Sequence, residues 1–289
     1  MKITDFSREL KKRFIAPTNI QFAKWNDWTI VSSFDDERKN FISESVSMGI
    51  DKNPEIALMK SLTEFCERHV FKTSNDPIAK LTDRSDGFAA YPTQLPLSQF
   101  HARNNAFNEA VERYLWSTWW DKPETYYTIK EPNFPEKDNI KKEFHITNLY
   151  LLTVEPQNSE VYLKIILAEN KRGGFITGGA AGSQDDEDQT ISRAFGELLR
   201  HLLVIKRMNN SNCNTLTFYE QRLWGFGSGR LRNTVLSRLN INGKNKIVLP
   251  SLVADKNLIH NNSDFVTVHR CLFLNQPIFM GGIVERLCI

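Results

Sequence analysis

Two segments of the chain carry the same pattern of charged residues, Glu-x-x-Glu-Arg. The first copy consists of Glu64, Glu67 and Arg68, and the second consists of Glu109, Glu112 and Arg113. Charged residues make up 25% of the chain, so chance supplies only about 0.07 copies of this pattern. Helical salt-bridge preferences raise that figure. Two copies nevertheless indicate a repeated element with a shared task.

A third segment repeats the pattern in a weaker form. Arg193, Glu197, Arg200 and His201 recur at helical spacing and are opposed by Phe195 and several leucines. Each of the three segments therefore combines apolar sides with one polar stripe. We interpret them as a degenerate internal repeat whose helices line a cavity.

Exposed salt bridges are the simplest alternative for such patterns. Glu and Arg three or four residues apart usually form surface pairs worth a few tenths of a kcal/mol. These pairs interrupt otherwise apolar helices, however, where carboxylates are costly to bury without cations. Oxygen ligands favour magnesium over zinc, and magnesium is commonly shared between carboxylates and nucleotide phosphates. The arginines would neutralise phosphate oxygens.

The remaining sequence predicts an α+β fold in which mixed or antiparallel sheets pack against helices. Apolar periodicity predicts helices over 55–71, 98–120 and about 185–204. Alternating residues predict strands in 19–34 and 41–48, a hairpin over 144–154 and 161–168, and terminal strands over 264–273 and 277–284. We expect a single domain over 1–289, with two halves, 1–121 and 144–289, joined by a surface excursion at 122–143.

Composition excludes several classes of protein. The net charge is +3, and no long basic run occurs, so a dedicated nucleic-acid binder is not indicated. The four cysteines form no C-x-x-C motif, which favours reduced thiols. No signal peptide or membrane span is recognisable, so we expect a cytoplasmic protein that does not associate with membranes.

The three patterns resemble the ATP-binding motifs of the YcaO family, whose members activate peptide backbone amides with ATP during ribosomal-peptide (RiPP) maturation. The resemblance runs in order from about Ser43 to Val204. It includes S-x-x-E-x-x-E-R from Ser61, an Asn-x-x-x-Glu from Asn105, and R-x-x-x-E from Arg193. The turn SDGFAAYPT before the second helix and the ending FVTVHRCLFLNQPIFMGG are also similar to family segments.

The resemblance implies a YcaO-like fold and bound ATP and Mg²⁺. It implies a nucleotide site lined by Ser61, Glu64, Glu67, Arg68, Asn105, Glu109, Glu112, Arg193 and Glu197. Among these, the implied metal ligands are Glu64, Glu67, Glu109, Glu112 and Glu197. The motifs assign no catalytic residue. The implied reaction is O-phosphorylation of a peptide amide, in which ATP turns a poor leaving group into a good one.

Alternatives within this interpretation concern the product and the role. The product is an azoline (cyclodehydration), a thioamide (thioamidation) or an amidine, according to the attacking nucleophile. Met48 stands within the family's usual G-K-G, Asn105 replaces a common Gln, and the chain ends without the proline-rich tail of many azoline-forming members. These departures motivate a second hypothesis, a non-catalytic ATP-binding partner or scaffold in a modification complex. A third hypothesis is a structural protein in which the three polar stripes form salt bridges and require neither metal nor nucleotide.

The resemblance also carries expectations about partners. Besides a peptide substrate, YcaO-type enzymes often work beside a separate protein that binds a leader peptide or delivers sulfur. The chain offers no obvious extra domain for either task, so we expect such a partner. A homodimer is compatible with the same interpretation.

Overall fold

The computed structural model describes residues 3–12, 16–35, 47–73, 86–210, 216–241, 243–258, 266–279, 283 and 285–287. Within them the chain forms seven α-helices and ten β-strands in three antiparallel sheets, which confirms the predicted α+β class. The helices are α1 (Ile3–Lys12), α2 (Pro54–Thr73), α3 (Ser98–Asp121), α4 (Lys137–Glu143), α5 (Glu187–Asn210), α6 (Phe218–Gly227) and α7 (Arg232–Leu239). The strands are β1 (Asn19–Trp25), β2 (Trp28–Phe34), β3 (Ser47–Asp51), β4 (Gly87–Pro92), β5 (Thr128–Lys130), β6 (Ile146–Val154), β7 (Val161–Asn170), β8 (Phe175–Ser183), β9 (Leu252–Leu258) and β10 (Val266–Phe273).

The chain divides into two compact units. Unit 1 comprises Met1–Thr82, Asp86–Phe107 and Leu252–Leu272, and unit 2 comprises Asp83–Ser85, Asn108–Ser251 and Phe273–Ile289. The division falls inside α3. The expected single domain, with its halves at 1–121 and 144–289, remains a prediction.

Unit 1 contains two three-stranded sheets, with strand orders β1-β2-β3 and β4-β10-β9. Helix α2 packs tightly on β3, because a Cβ atom added at Gly49 would lie only 1.9 Å from the Ala57 carbonyl oxygen. The opposite side of α2 contributes Leu62, Cys66 and other apolar residues to a buried cluster with α1 and β10. The polar stripe of α2 is thereby kept out of the core.

The N-terminal strands differ from the prediction. The segment 19–34 forms two antiparallel strands, β1 and β2, rather than one, and Trp25 pairs with Trp28 across a turn. Asn26 occupies the left-handed region with φ of 51°, a conformation that Asn adopts more readily than most residues. The expected strand over 41–48 is described only from Ser47, where β3 begins; residues 41–46 lie outside the described residues.

Unit 2 is built on a four-stranded sheet in the order β5-β6-β7-β8. The predicted hairpin over 144–168 is confirmed as β6 and β7. Helix α5 lies directly on β8, since a Cβ atom at Gly178 would approach the Leu198 nitrogen to 2.1 Å. On the other face, a Cβ atom at Gly179 would meet the Trp116 ring at 2.1 Å. The glycine-rich strand is therefore enclosed on both sides.

Several elements were not predicted. Strand β8 lies in the glycine-rich segment 175–183, β9 precedes the last strand, and the excursion 122–143 contains β5 and α4. The expected strand over 277–284 is not formed at the described residues 277–279 and 283. Among the described helices, none combines the length and apolarity needed to cross a bilayer.

Candidate functional site

The polar stripe of α2 is anchored to the adjacent strand through Glu64. One carboxylate oxygen of Glu64 accepts a hydrogen bond from the Met48 backbone N–H at 2.6 Å. The other oxygen receives the Arg68 guanidinium, with Nη2 at 2.5 Å and Nε at 3.1 Å. Both side chains remain partly exposed, at 24% for Glu64 and 19% for Arg68. This carboxylate therefore reaches solvent while its position is fixed from two sides.

Two further residues of α2 connect the helix to neighbouring strands. Glu67 Oε1 accepts a hydrogen bond from the Ala90 backbone N–H at 2.8 Å. Ser61 is fully buried; its hydroxyl lies 2.7 Å from Ser33 Oγ and 3.1 Å from the Ser47 carbonyl oxygen. Ser61 thus holds α2 against β2 and β3, and Glu64 and Glu67 present the remaining polar atoms of the stripe.

Helix α3 carries its predicted residues in both units. Asn105, in the unit 1 part of the helix, is exposed to solvent. In the unit 2 part, Glu109 accepts a 2.5 Å hydrogen bond from Arg113 Nη2, one helical turn further on. The Arg113 guanidinium lies 5.6 Å from the centre of the Phe279 ring, which limits its freedom.

Helix α5 directs Arg193 across the end of β8. Arg193 Nη2 donates a hydrogen bond to the Ala181 carbonyl oxygen at 2.6 Å. Gly182 lies beside this crossing, and a Cβ atom there would lie 2.1 Å from Thr190 Oγ1 and 2.9 Å from the same nitrogen. One turn later on α5, Glu197 keeps 47% of its side chain exposed and lies 3.7 Å from Arg200.

Electrostatics connects the unit 2 residues. The pKa of Glu112 is raised to about 8, chiefly by burial and also by the carboxylates of Glu109 and Glu197, although Arg113 and Arg193 act to lower it. Burial also lowers the pKa of the Arg193 guanidinium, which Glu112 partly offsets. Three carboxylates and two guanidinium groups thus influence one another, and the positive charge present does not suffice to keep Glu112 ionised at neutral pH. Such a cluster favours an additional cation.

Two buried polar atoms beside this cluster lack hydrogen-bond partners within the described part of the chain. They are Arg193 Nε, a donor, and Asn108 Oδ1, an acceptor one turn before Glu112 on α3. Buried polar groups are normally satisfied, so unpaired ones call for an explanation. A donor suited to phosphate and an acceptor suited to a metal ion, placed beside three carboxylates, fit a metal-bound anion.

The structure therefore brings Glu109, Glu112, Arg193 and Glu197 together in unit 2. In unit 1 it groups Ser61, Glu64, Glu67 and Arg68 on α2, with Asn105 exposed on α3. Their roles as nucleotide and metal ligands remain predictions. His201 is buried and its Nδ1 lies 2.6 Å from the Thr177 carbonyl oxygen, so it serves packing within α5 and β8.

The sequence did not reveal some residues that could bind a ligand or a metal. Asn108 carried no signal, because a lone Asn on a helix is uninformative. Asp255, His269 and Cys271 lie far apart along the chain, and only the pairing of the C-terminal strands brings their ligand atoms within 4.8 Å of one another. Their alternation at positions 269 and 271 was the one available hint.

Comparisons with known proteins identify the fold. No family model and no curated protein matches the sequence. Among solved structures, the chain is similar to YcaO from Methanopyrus kandleri, determined with AMPPCP and Mg²⁺ bound, at a TM-score of 0.60 and 14% identity. That match covers 96% of this chain and 92% of the other.

Two structures of a bacterial complex are also similar. The match to the E. coli microcin synthetase McbBCD complex with pro-MccB17 bound has a TM-score of 0.58 at 10% identity, covering 89% of this chain and 88% of the other. The match to the McbBCD complex has a TM-score of 0.56 at 9% identity, covering 92% and 89%. The chain therefore has a YcaO-like fold, as the motifs predicted.

Proposed function

We propose that this chain is an ATP-dependent enzyme that activates a backbone amide of a peptide by O-phosphorylation. The observation that carries the proposal is the environment of Glu112. A buried carboxylate lies beside two others, its pKa is raised to about 8, and two arginines do not compensate the charge. This arrangement costs folding free energy unless a cation is bound. A magnesium ion carrying nucleotide phosphates supplies both the cation and the anion that the site lacks.

The residues fit this ligand. Glu109, Glu112 and Glu197 offer carboxylate oxygens for Mg²⁺, and Arg193 offers a buried Nε donor to a phosphate. In unit 1, Glu64 and Glu67 each place one carboxylate oxygen on a strand amide, which fixes the position of two carboxylates that we assign to the metal. The proposed nucleotide ligands also include Ser61, Arg68 and Asn105. The similarity to a YcaO structure determined with AMPPCP and Mg²⁺ bound supports the two cofactors.

In this proposal, the residues of the chain position the phosphate groups and the metal and neutralise their charge. When bound, magnesium-ATP supplies a phosphoryl group for the amide oxygen, which is otherwise a poor leaving group. Arg193 would orient phosphate oxygens through its planar guanidinium, which Ala181 already holds in place. The acidic side chains would fix the metal and thereby the line of transfer. The nucleophile that adds to the amide carbon decides between an azoline, a thioamide and an amidine.

Binding of magnesium-ATP is the first test. We expect calorimetric binding to the wild-type chain, at least 10-fold weaker binding to Glu112→Gln, and wild-type binding to Glu131→Gln. Glu131 is a suitable control because it lies in the same unit and forms an exposed ion pair with Lys137. Absence of binding to the wild-type chain at millimolar nucleotide would refute the proposal.

Product analysis is the second test. The chain is incubated with ATP, magnesium and candidate peptides, with and without sulfide, and the peptide mass is measured. Loss of water indicates azoline formation, and exchange of oxygen for sulfur indicates thioamide formation. Consumption of ATP that rises with peptide is expected for any of the three products.

A non-catalytic ATP-binding partner is the alternative function. It is favoured by Glu64, whose carboxylate already bonds to Met48 and Arg68, and by the exposure of Asn105. Under this alternative the chain binds magnesium-ATP but does not consume it faster when peptide is added. The similarity to the McbBCD complex supports, for either role, work beside a separate partner protein. A partner that binds the leader peptide or delivers sulfur remains a prediction. A homodimer and a cytoplasmic location remain predictions.

A further inference from the structure

A cluster of three different metal-binding side chains lies on the β4-β10-β9 sheet of unit 1. Asp255 belongs to β9, and His269 and Cys271 belong to the neighbouring strand β10. Residues two apart on a strand point to the same face, so His269 and Cys271 project together. The carboxylate, imidazole and thiol ligand atoms all lie within 4.8 Å of one another. None of these residues belongs to α2, α3 or α5, the helices of the proposed nucleotide site.

The donor atoms select the kind of metal. A thiolate is a poor ligand for magnesium and calcium and a good one for zinc. Imidazole and carboxylate groups are also common zinc ligands. One Cys, one His and one Asp make a three-ligand set. Zinc sites with three protein ligands keep a fourth position for water or another small ligand.

The distances are close to those of a tetrahedral zinc site. Ideal zinc bond lengths place ligand atoms about 3.6 Å apart for sulfur and oxygen and about 3.3 Å apart for nitrogen and oxygen. Cys271 Sγ lies 3.8 Å from Asp255 Oδ1, and His269 Nε2 lies 2.7 Å from the same oxygen. The imidazole must therefore move by roughly 0.6 Å for an ion to enter.

The outer partners of the cluster orient its ligands. His269 Nδ1 lies 2.8 Å from Asn257 Oδ1, which accepts its proton and leaves Nε2 directed at Asp255. Arg103 also holds Asp255, with Nη2 2.6 Å from Oδ2 and with Nε 3.0 Å from Oδ2 and 2.9 Å from Oδ1. Oδ1, the oxygen nearest to the thiol and the imidazole, shares the Arg103 Nε with Oδ2. When Oδ1 binds metal, Nε and Nη2 can both stay on Oδ2. Such outer hydrogen bonds are typical of metal-binding His and Asp.

Burial gives the cluster a closed base and one open side. The Cys271 residue is 0% exposed and the His269 side chain is 7% exposed, whereas the Asp255 side chain is 28% exposed. An ion can therefore enter past Asp255 and meet a thiol and an imidazole already fixed by the strand. The open side is also where a fourth ligand would bind.

We propose that Asp255, His269 and Cys271 bind one zinc ion, with the fourth coordination position open to water or a small ligand. Binding forms bonds from zinc to Sγ, Nε2 and Oδ1. The thiol proton is released to solvent, together with any proton on Nε2. No oxidation or reduction takes place, because zinc has a single accessible oxidation state.

The test uses the full-length chain, stripped of metal with a chelator and titrated with zinc or with cobalt as a spectroscopic probe. We expect one equivalent of cobalt to give a thiolate charge-transfer band and the intense visible bands of tetrahedral coordination. Cys271→Ser should abolish the charge-transfer band and weaken zinc binding by more than about 100-fold, since loss of an outer partner alone costs about 10–100-fold. Asn257→Ala should fall within that smaller range.

Cys66→Ala is the matched control, because Cys66 is also a buried free cysteine of unit 1. It should keep wild-type cobalt bands and zinc affinity. Wild-type spectra without a thiolate band, or equal zinc affinity of wild type and Cys271→Ser, would overturn the proposal. If Cys271→Ser does not fold, X-ray absorption of the zinc-loaded wild type decides. One sulfur and one imidazole in the zinc shell support the site, and a shell of oxygen alone refutes it.

Discussion

Replacing Glu112 by Gln should stabilise the magnesium-free chain while weakening its binding of magnesium-ATP. The Glu112 pKa is about 8 in the folded chain and about 4.5 when unfolded. At pH 7 the unfolded carboxyl is ionised and the folded one is protonated, so folding takes up a proton. The difference of about 2.5 units between pH 7 and the unfolded pKa corresponds to about 3 kcal/mol. Gln is neutral in both states and avoids this cost.

The sign of the pH dependence follows from the raised pKa. The cost is absent below about pH 4.5, grows as the unfolded carboxyl ionises, and levels off above about pH 8. The value of about 3 kcal/mol is a ceiling, because side chains rearrange and water enters around a buried charge. For a chain of this size it corresponds to an increase of roughly 5–10 °C in Tm.

The assay is thermal or urea unfolding in excess chelator, followed from pH 4.5 to pH 8.5. The free energy of unfolding of Glu112→Gln should exceed that of the wild type by an amount that increases with pH. The control Glu131→Gln should show no comparable gain, since Glu131 is exposed and Lys137 lowers its pKa. Magnesium-ATP at 100 times the wild-type Kd should stabilise the wild type by about 2.7 kcal/mol and a 10-fold weaker Glu112→Gln by about 1.4 kcal/mol, so the stability difference between the two chains should narrow by about 1.3 kcal/mol. A variant no more stable than wild type at pH 7, or a difference independent of pH, would refute the reasoning.

Three other substitutions test the arrangement of α5 and β8. Gly178→Ala should destabilise unit 2 by about 1–3 kcal/mol in urea unfolding, because its Cβ would overlap the α5 backbone; unchanged stability would contradict the packing. Arg193→Lys should weaken magnesium-ATP binding by about 10–100-fold in calorimetry while preserving the fold, since one ammonium cannot replace the guanidinium bonds; full affinity would remove Arg193 from the site. His201→Gln should reduce acid sensitivity. Burial lowers the His201 pKa from 6.5 to about 3, so the wild type should lose up to about 4–5 kcal/mol as pH falls from 6.5 towards 3, and equal acid unfolding of both chains would contradict this.

The helices of the candidate site could be predicted because each has a clear local signature. Pro54 begins α2, apolar residues recur at helical spacing in all three helices, and acidic residues precede α5. The polar stripe on each helix follows directly from that spacing. The resemblance to the YcaO motifs then predicted the fold that the solved structures share.

The missed features depend on contacts between distant residues. Strand β8 is rich in glycine, which disfavours strands, and it is stabilised because its glycines admit α5 on one face and Trp116 on the other. The raised pKa of Glu112 depends on burial and on Glu197, 85 positions further along the numbering. The Asp255 and His269 contact exists only once β9 and β10 lie side by side. No local pattern encodes any of these.

Two glycines act as spacers that set how deeply the acidic helices sit on their sheets. Gly49 touches α2 at the Ala57 carbonyl, and Gly178 touches α5 at the Ala194 carbonyl, 2.3 Å from where a Cβ would lie. A methyl group added at either glycine would displace the helix that packs on it, and all the carboxylates of that helix would shift together. Magnesium requires oxygen ligands at about 2.0–2.1 Å, whereas calcium accepts about 2.3–2.6 Å. In the proposed metal site, such a shift should therefore change which cation binds, with every proposed ligand residue left unchanged.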